Sequence, residues 1–123
     1  MDSYKNEATE RFGGTDAYKE FESKTAGYTE ADFADYTEGL NAVFAKFARC
    51  KSKGYTPKSA EAQTLVKELQ NFITKNYYTC TDEILKGLGA MYSADRRFKE
   101  YLDKNGEGTA EFVSDAIKIF TKD

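Results

Sequence analysis

Residues 29–50 read TEADFADYTEGLNAVFAKFARC, and their apolar positions Phe33, Tyr36, Leu40, Val43, Phe47 and Cys50 recur in alternating steps of three and four. That is the spacing at which side chains share one face of an α-helix, and a strand, with its period of two, cannot bring those residues to one side. Thr29 stands ahead of the run with Asp32 three residues on, the pattern of a capping box. Gly54 and Pro57 lie beyond its end, where they stop a helix.

The same period continues on both sides. A second helix is expected from Ser59, with a stripe of Ala62, Leu65, Val66, Leu69, Phe72, Ile73, Asn76 and Tyr77. A third follows Thr81, whose hydroxyl can cap it, with Asp82 and Glu83 in the first turn and Ile84, Leu85, Leu88, Met91 and Tyr92 as its apolar face. Gly87 and Gly89 lie inside it; each costs about 1 kcal/mol against Ala and marks a place where another group can come close. A short segment carries Phe98, Tyr101 and Leu102, and a last helix begins at Thr109, read as its cap, with Phe112, Val113, Ala116, Ile117 and Phe120. Upstream, a weaker helix from Asp16 to Thr25 holds Tyr18 and Phe21, and the first eleven residues are polar apart from Tyr4. Pro57 is the one proline, and no repeat, low-complexity tract or linker is found. These readings predict an all-α domain, a compact bundle of five to six helices with short connections.

Composition narrows function mostly by exclusion. The 123 residues make one domain, and nine Tyr with nine Phe, 15% aromatic, argue against wholesale disorder. The longest uncharged stretch, Gly87–Ala94, is too short for a membrane span or the apolar segment of a signal peptide, so a cytoplasmic location with no membrane partner is expected. There is no His, which removes imidazole metal sites and His-based catalysis. Two cysteines, Cys50 and Cys80, are too few for a four-thiolate zinc site or a disulfide framework and read as reduced thiols. The net charge is −3, spread unevenly: −6 over residues 1–38, +5 over 39–78 and −2 over 79–123. Lys46, Arg49, Lys51 and Lys53 sit near a helix C-terminus, where the macrodipole favours them, and an acidic domain with no DNA-binding motif is not expected to contact nucleic acid itself.

Four features bear on chemistry. Asp103–Glu111 copies the front of a calcium loop, with oxygen-bearing residues at positions 1, 3, 5 and 9 and Gly at 6, but its twelfth position is Ser114 rather than Glu, so no metal is expected and a turn with helix caps is the simpler reading. Cys50 lies on an apolar stripe and reads as a core thiol. Cys80 precedes a helix start, where backbone N–H groups can activate a thiol, while Asp82 and Glu83 oppose ionisation; on residues alone it is either inert and buried or reactive. Nine Tyr suit an apolar cleft with a polar rim, fit for a bulky, flat, partly apolar ligand. No phosphate-binding glycine loop or nucleophile elbow is present, so an enzyme is not expected; a thiol enzyme using Cys80 and a calcium-responsive helical module are the rival readings.

Several motifs carry a resemblance. Glu10-Arg11-Phe12-Gly13-Gly14-Thr15-Asp16-Ala17-Tyr18, Lys24-Thr25-Ala26-Gly27-Tyr28-Thr29, Asn76-Tyr77-Tyr78-Thr79-Cys80, Leu88-Gly89-Ala90-Met91-Tyr92 and Asp95-Arg96-Arg97-Phe98, with the tail Asp103–Phe112, resemble the TipAS antibiotic-recognition domain over nearly the whole chain. The resemblance implies a globin-like helical fold without haem or any other cofactor. It also implies the effector-binding half of a MerR-type transcriptional activator that responds to thiopeptides or other bulky lipophilic drugs. It further implies an aromatic cleft and an N-terminal segment, residues 1–14, that is flexible and becomes ordered around the ligand, ahead of a binding domain over 15–123. The ligand-binding candidates are Phe12, Tyr18, Phe72, Tyr77, Tyr78, Cys80, Met91 and Tyr92, with Cys80 matching the cysteine that attacks a dehydroalanine of the drug. Positions that are typically Trp in the family are Phe12 and Phe33 here, and a His of the family is Tyr77, so a lipophilic multidrug profile stands beside a thiopeptide. The family's winged-helix and coiled-coil parts are not in the sequence, and DNA would be reached only through such a missing part. The chain is then either a domain of an activator or a stand-alone protein that sequesters drugs.

Overall fold

A computed structural model describes residues 16–122. Among them are six helices and no strand: α1 (Asp16–Thr25), α2 (Glu30–Ser52), α3 (Ala60–Asn76), α4 (Asp82–Ala94), α5 (Arg96–Asp103) and α6 (Thr109–Phe120). The expected flexible segment 1–14, with Phe12, lies outside the described residues.

Local chemistry accounts for most helix ends. At α2 the Asp32 N–H donates to the Thr29 hydroxyl (3.1 Å) and the Thr29 N–H donates to the Asp32 carboxylate (2.9 Å), a complete capping box. Its far end closes with Gly54 N–H on Lys51 O (3.0 Å) and Tyr55 N–H on Cys50 O (3.2 Å). This pairing requires the left-handed backbone that Gly54 supplies at φ 90°. Ser59 and Thr81 cap α3 and α4 by accepting from the N–H groups of Ala62 and Ile84. Asp95 separates α4 from α5, its carboxylate accepting from the Arg97 N–H (2.9 Å).

The start of α6 corrects the sequence reading. Thr109 is not the cap: it is the first helical residue, fully buried, and its hydroxyl donates to Gly106 O (2.6 Å). Gly108, at φ 84°, occupies the cap position, and the carboxylate of Asp103 accepts from the Ala110 N–H (2.9 Å). The first residue of the apparent calcium loop is thus committed to capping a helix.

Helix α6 is the centre of the fold. It packs against α2, α3, α4 and α5, and Thr109, Ala110, Phe112, Val113, Ser114, Ala116 and Ile117 are all buried. Gly89 of α4 permits one of these contacts, because a Cβ there would stand 2.8 Å from Ile117 Cγ2. Gly87 has open space instead, so only one of the two glycines marks a close approach. The core also takes Phe44, which the stripe through Phe33 and Cys50 passes over; it is 2% exposed and meets Tyr92 edge-on with ring centroids 5.7 Å apart. Among the described residues no helix is long and apolar enough to cross a membrane.

Candidate functional site

Helix α3 stops at Asn76 and α4 starts at Asp82, and the chain between them carries Tyr77, Tyr78 and Cys80. A non-helical connection must find partners for its backbone groups, and here they come largely from side chains. Tyr77 and Tyr78 N–H both donate to Ile73 O (2.9 and 3.1 Å). Thr79 presents its N–H and its hydroxyl to the two carboxylate oxygens of Glu20 on α1, each at 2.8 Å. Cys80 N–H donates to the Thr74 hydroxyl (3.0 Å). The buried Gln70 amide donates to Cys80 O (2.9 Å) and to the Asp82 carboxylate (2.8 Å). The two bonds from Thr79 and the neighbouring Lys24 ammonium hold the Glu20 carboxyl below its usual range.

Aromatic rings converge on this connection. Phe21 of α1 lies 6.3 Å from Tyr77 and 6.4 Å from Tyr78 between centroids. Tyr77 also meets Phe72 at 6.3 Å and Tyr36 at 6.4 Å. Tyr36 continues to Tyr28 at 4.9 Å, and Tyr28 to Phe33 at 5.5 Å. The Phe72 ring reaches into α2 because Gly39 stands opposite it; a Cβ there would be 2.8 Å from the ring. The Tyr28 hydroxyl donates to Asn76 O (2.7 Å) and Lys24 Nζ to Thr74 O (2.5 Å), so α1 and the segment after it rest on the end of α3 through polar contacts as well as rings. Beside Phe33 and Thr37, an open depression of about 530 Å³ runs along α2, lined also by Glu30, Ala34, Glu38 and Asn41.

Cys80 does not have the exposure expected of a reactive thiol. It is 3% exposed, less than Cys50 at 6%, and burial, with the Asp82 charge behind it, pushes its thiol up to about 11. Burial likewise raises Tyr78 and Tyr92, each of which also feels Cys80; Cys80 and Tyr92 belong to the buried core, and Tyr78 packs against it. Tyr77 is raised by burial against a hydrogen bond with Thr37.

The structure therefore brings Phe72, Tyr77, Tyr78, Cys80 and Tyr92 into one region. Tyr92 serves it from within the core, between Phe44, edge-on, and Phe98, tilted. Met91 lines a separate, smaller depression of about 330 Å³ with Gly87, Ala90, Ala94 and Asp95. Tyr18 lies on α1, with its side chain outside the described residues, as is the whole of Phe12. The residues that shape the connection without being expected are Glu20, Gln70 and Thr74. For Gln70 a signal was present: it sits four residues after Val66 and three before Ile73, a polar residue at core spacing.

Comparison with known proteins shows the family and the fold. Residues 4–120 match the family described as the TipAS antibiotic-recognition domain. The HTH-type transcriptional activator TipA of Streptomyces coelicolor is 33% identical over 116 residues, which are 94% of this chain and 46% of that protein. The HTH-type transcriptional activator mta of Bacillus subtilis is 31% identical over 107 residues, 87% of this chain and 41% of that protein. The chain spans less than half the length of these relatives. Among solved structures, that of TipAS from Streptomyces lividans in complex with nosiheptide, a thiopeptide antibiotic, superposes with a TM-score of 0.85 at 32% identity, over 98% of this chain and 84% of that one.

Proposed function

The chain belongs to the TipAS antibiotic-recognition domain family, and from that premise we propose that it binds thiopeptides or other bulky lipophilic antibiotics at the aromatic region around Tyr77 and Tyr78. The observation that carries this reading is the ring system itself. Six aromatic side chains from α1, the α1–α2 turn, α2 and the α3–α4 connection touch in sequence from Phe33 to Tyr78, with Phe72 of α3 against Tyr77, next to an open depression, in a fold that matches the nosiheptide-bound TipAS structure. Flat apolar ligands gain from burial against such rings, with the tyrosine hydroxyls as orienting polar groups.

In this reading the domain senses drug for a MerR-type activator, or sequesters it, and releases no product. Phe72, Tyr77 and Tyr78 supply contact area, and Tyr92 backs the site. Residues 1–14, with Phe12, close over the ligand together with Tyr18 of α1, so part of the contact energy goes to ordering that segment. Met91 of α4 is a further ligand contact in this reading, reached from the separate depression that it lines. Cys80 captures ligands that carry a dehydroalanine: the S–H adds across the carbon–carbon double bond, sulfur bonding one carbon and the proton going to the other. Its burial, at 3% exposure, means that the connection must first open.

A thermal-shift titration tests the binding. A ligand taken up by the native state alone raises the unfolding temperature progressively with its concentration. Nosiheptide and a panel of lipophilic antibiotics are the probes, and a flat response to all of them at saturating concentration rejects the proposal. Truncation to residue 15 is expected to weaken binding while leaving the ligand-free unfolding temperature nearly unchanged. Covalent capture is read as one ligand mass per chain that disappears in Cys80→Ser.

A further inference from the structure

Gln70 is an unusual residue to find in this core: a primary amide 7% exposed on a helix otherwise buried through Ala62, Val66, Leu69 and Ile73. Its Nε2 has two protons, and both are used on the connection, one on Cys80 O at 2.9 Å and one on the Asp82 carboxylate at 2.8 Å. The two acceptors flank Thr81, so a single side chain fixes the backbone of the cysteine and the charge two residues beyond it. Without that bond Asp82, whose residue is exposed, would turn into water. Glu83, the next acid, has no such tie to Gln70 and is also exposed.

We propose that Gln70 is a positioning residue of the binding site, holding the Asp82 carboxylate beside Cys80 so that the thiol stays protonated and slow to react in the ligand-free domain. The consequence for drug capture rests on the reading of Cys80 as the attachment point; the positioning itself does not. A cysteine just before a helix N-terminus ordinarily gains thiolate character from unpaired N–H groups. Here burial opposes that gain first, and a carboxylate held in the first turn of α4 adds to the opposition. The other titratable groups at the thiol are Tyr78 of the connection and Tyr92 of α4, both neutral at physiological pH. Glu20 and Lys24 of α1 are engaged with Thr79 and Thr74. Displacing Gln70 or Asp82 releases this restraint on Cys80.

The test is the rate of Cys80 alkylation by iodoacetamide from pH 7 to 10, read by peptide mass spectrometry on the full chain. In that reaction sulfur displaces iodide from carbon and the thiol proton passes to buffer. Asp82→Asn and Gln70→Leu are each expected to move the rate–pH profile to lower pH by about half a unit to one unit, roughly a 3- to 10-fold faster reaction at pH 8. The double variant adds little to either. Glu83→Gln, an equal change of charge without the tether, leaves the profile in place. A merely structural Gln70 would instead speed Cys80 and Cys50 together without moving the profile. That result, or equal shifts from Asp82→Asn and Glu83→Gln, overturns the proposal. Should Gln70→Leu fail to fold, the comparison of the two exposed acids still decides it. No antibiotic is involved, so loss of the thermal shift with drugs and loss of the pH shift are separate failures.

Discussion

Gly87 and Gly89 lie two residues apart on α4, and their surroundings give opposite consequences for the same substitution. A Cβ at Gly89 would stand 2.8 Å from Ile117 Cγ2 and 3.0 Å from its Cβ, and a β-branched side chain on a packed helix has little room to yield. Gly89→Ala is expected to destabilise by about 1–3 kcal/mol through overpacking. Gly87 meets nothing within 4 Å, so Gly87→Ala should stabilise by up to about 1 kcal/mol through helix propensity alone. Denaturant unfolding of the two variants checks both signs. The two thiols form another contrast. Cys50 was legible as a core residue from its stripe, whereas Cys80, just before a helix start, was open to both an inert, buried and a reactive reading; it is 3% exposed, its thiol raised to about 11. Alkylation of native, ligand-free protein at pH 8 should therefore run about 100-fold or more slower at Cys80 than in the unfolded chain. Rapid labelling of Cys80 in native protein would refute that burial.

The capping residues of α2, α3 and α4 could be read in advance because a cap is local: Thr29 with Asp32, Ser59 with Ala62 and Thr81 with Ile84 are each three residues apart. Thr29→Ala should cost about 1 kcal/mol in thermal unfolding by breaking the capping box. The cap of α6 was misread because its acceptor, Asp103, belongs to the preceding helix and reaches it only when Gly108 turns the chain. The placing of α1 is likewise a tertiary matter. Glu20 binds Thr79, fifty-nine residues away, and no spacing rule connects them. Its carboxyl titrates below the usual value in the folded state, so the tie is present above the ordinary carboxylate range and is lost as pH falls through the lowered value. Glu20→Gln should speed amide exchange at Thr79 and proteolysis within α1 while leaving the core helices protected, and acidification should lower the protection of Thr79 relative to its intrinsic exchange rate. Unchanged exchange at Thr79 would show that α1 is held by its rings alone.

Across the whole molecule, buried phenols and the Cys80 thiol all favour their neutral forms in the folded state. Their folded pKa values lie above the unfolded ones, so the stability they contribute is complete below about pH 9 and is lost as pH rises beyond it. The unfolding temperature should fall between pH 9 and 11, less steeply in Tyr92→Phe, and a flat curve would contradict the burial of these groups. The helical class was already legible in residues 29–50 and the stripes that follow, since a period near 3.6 is a property of the chain alone and holds whatever the helices pack against. The TipAS resemblance was legible in short motifs for a similar reason: Asn76–Cys80 and Leu88–Tyr92 are contiguous runs. The ring path from Phe33 to Tyr78, the Gln70 tether and the burial of Cys80 were decided by the tertiary structure. Each depends on which face of one helix meets another, and that is fixed only when α6 gathers α2, α3, α4 and α5 around itself and leaves α1 to rest on the connection between α3 and α4.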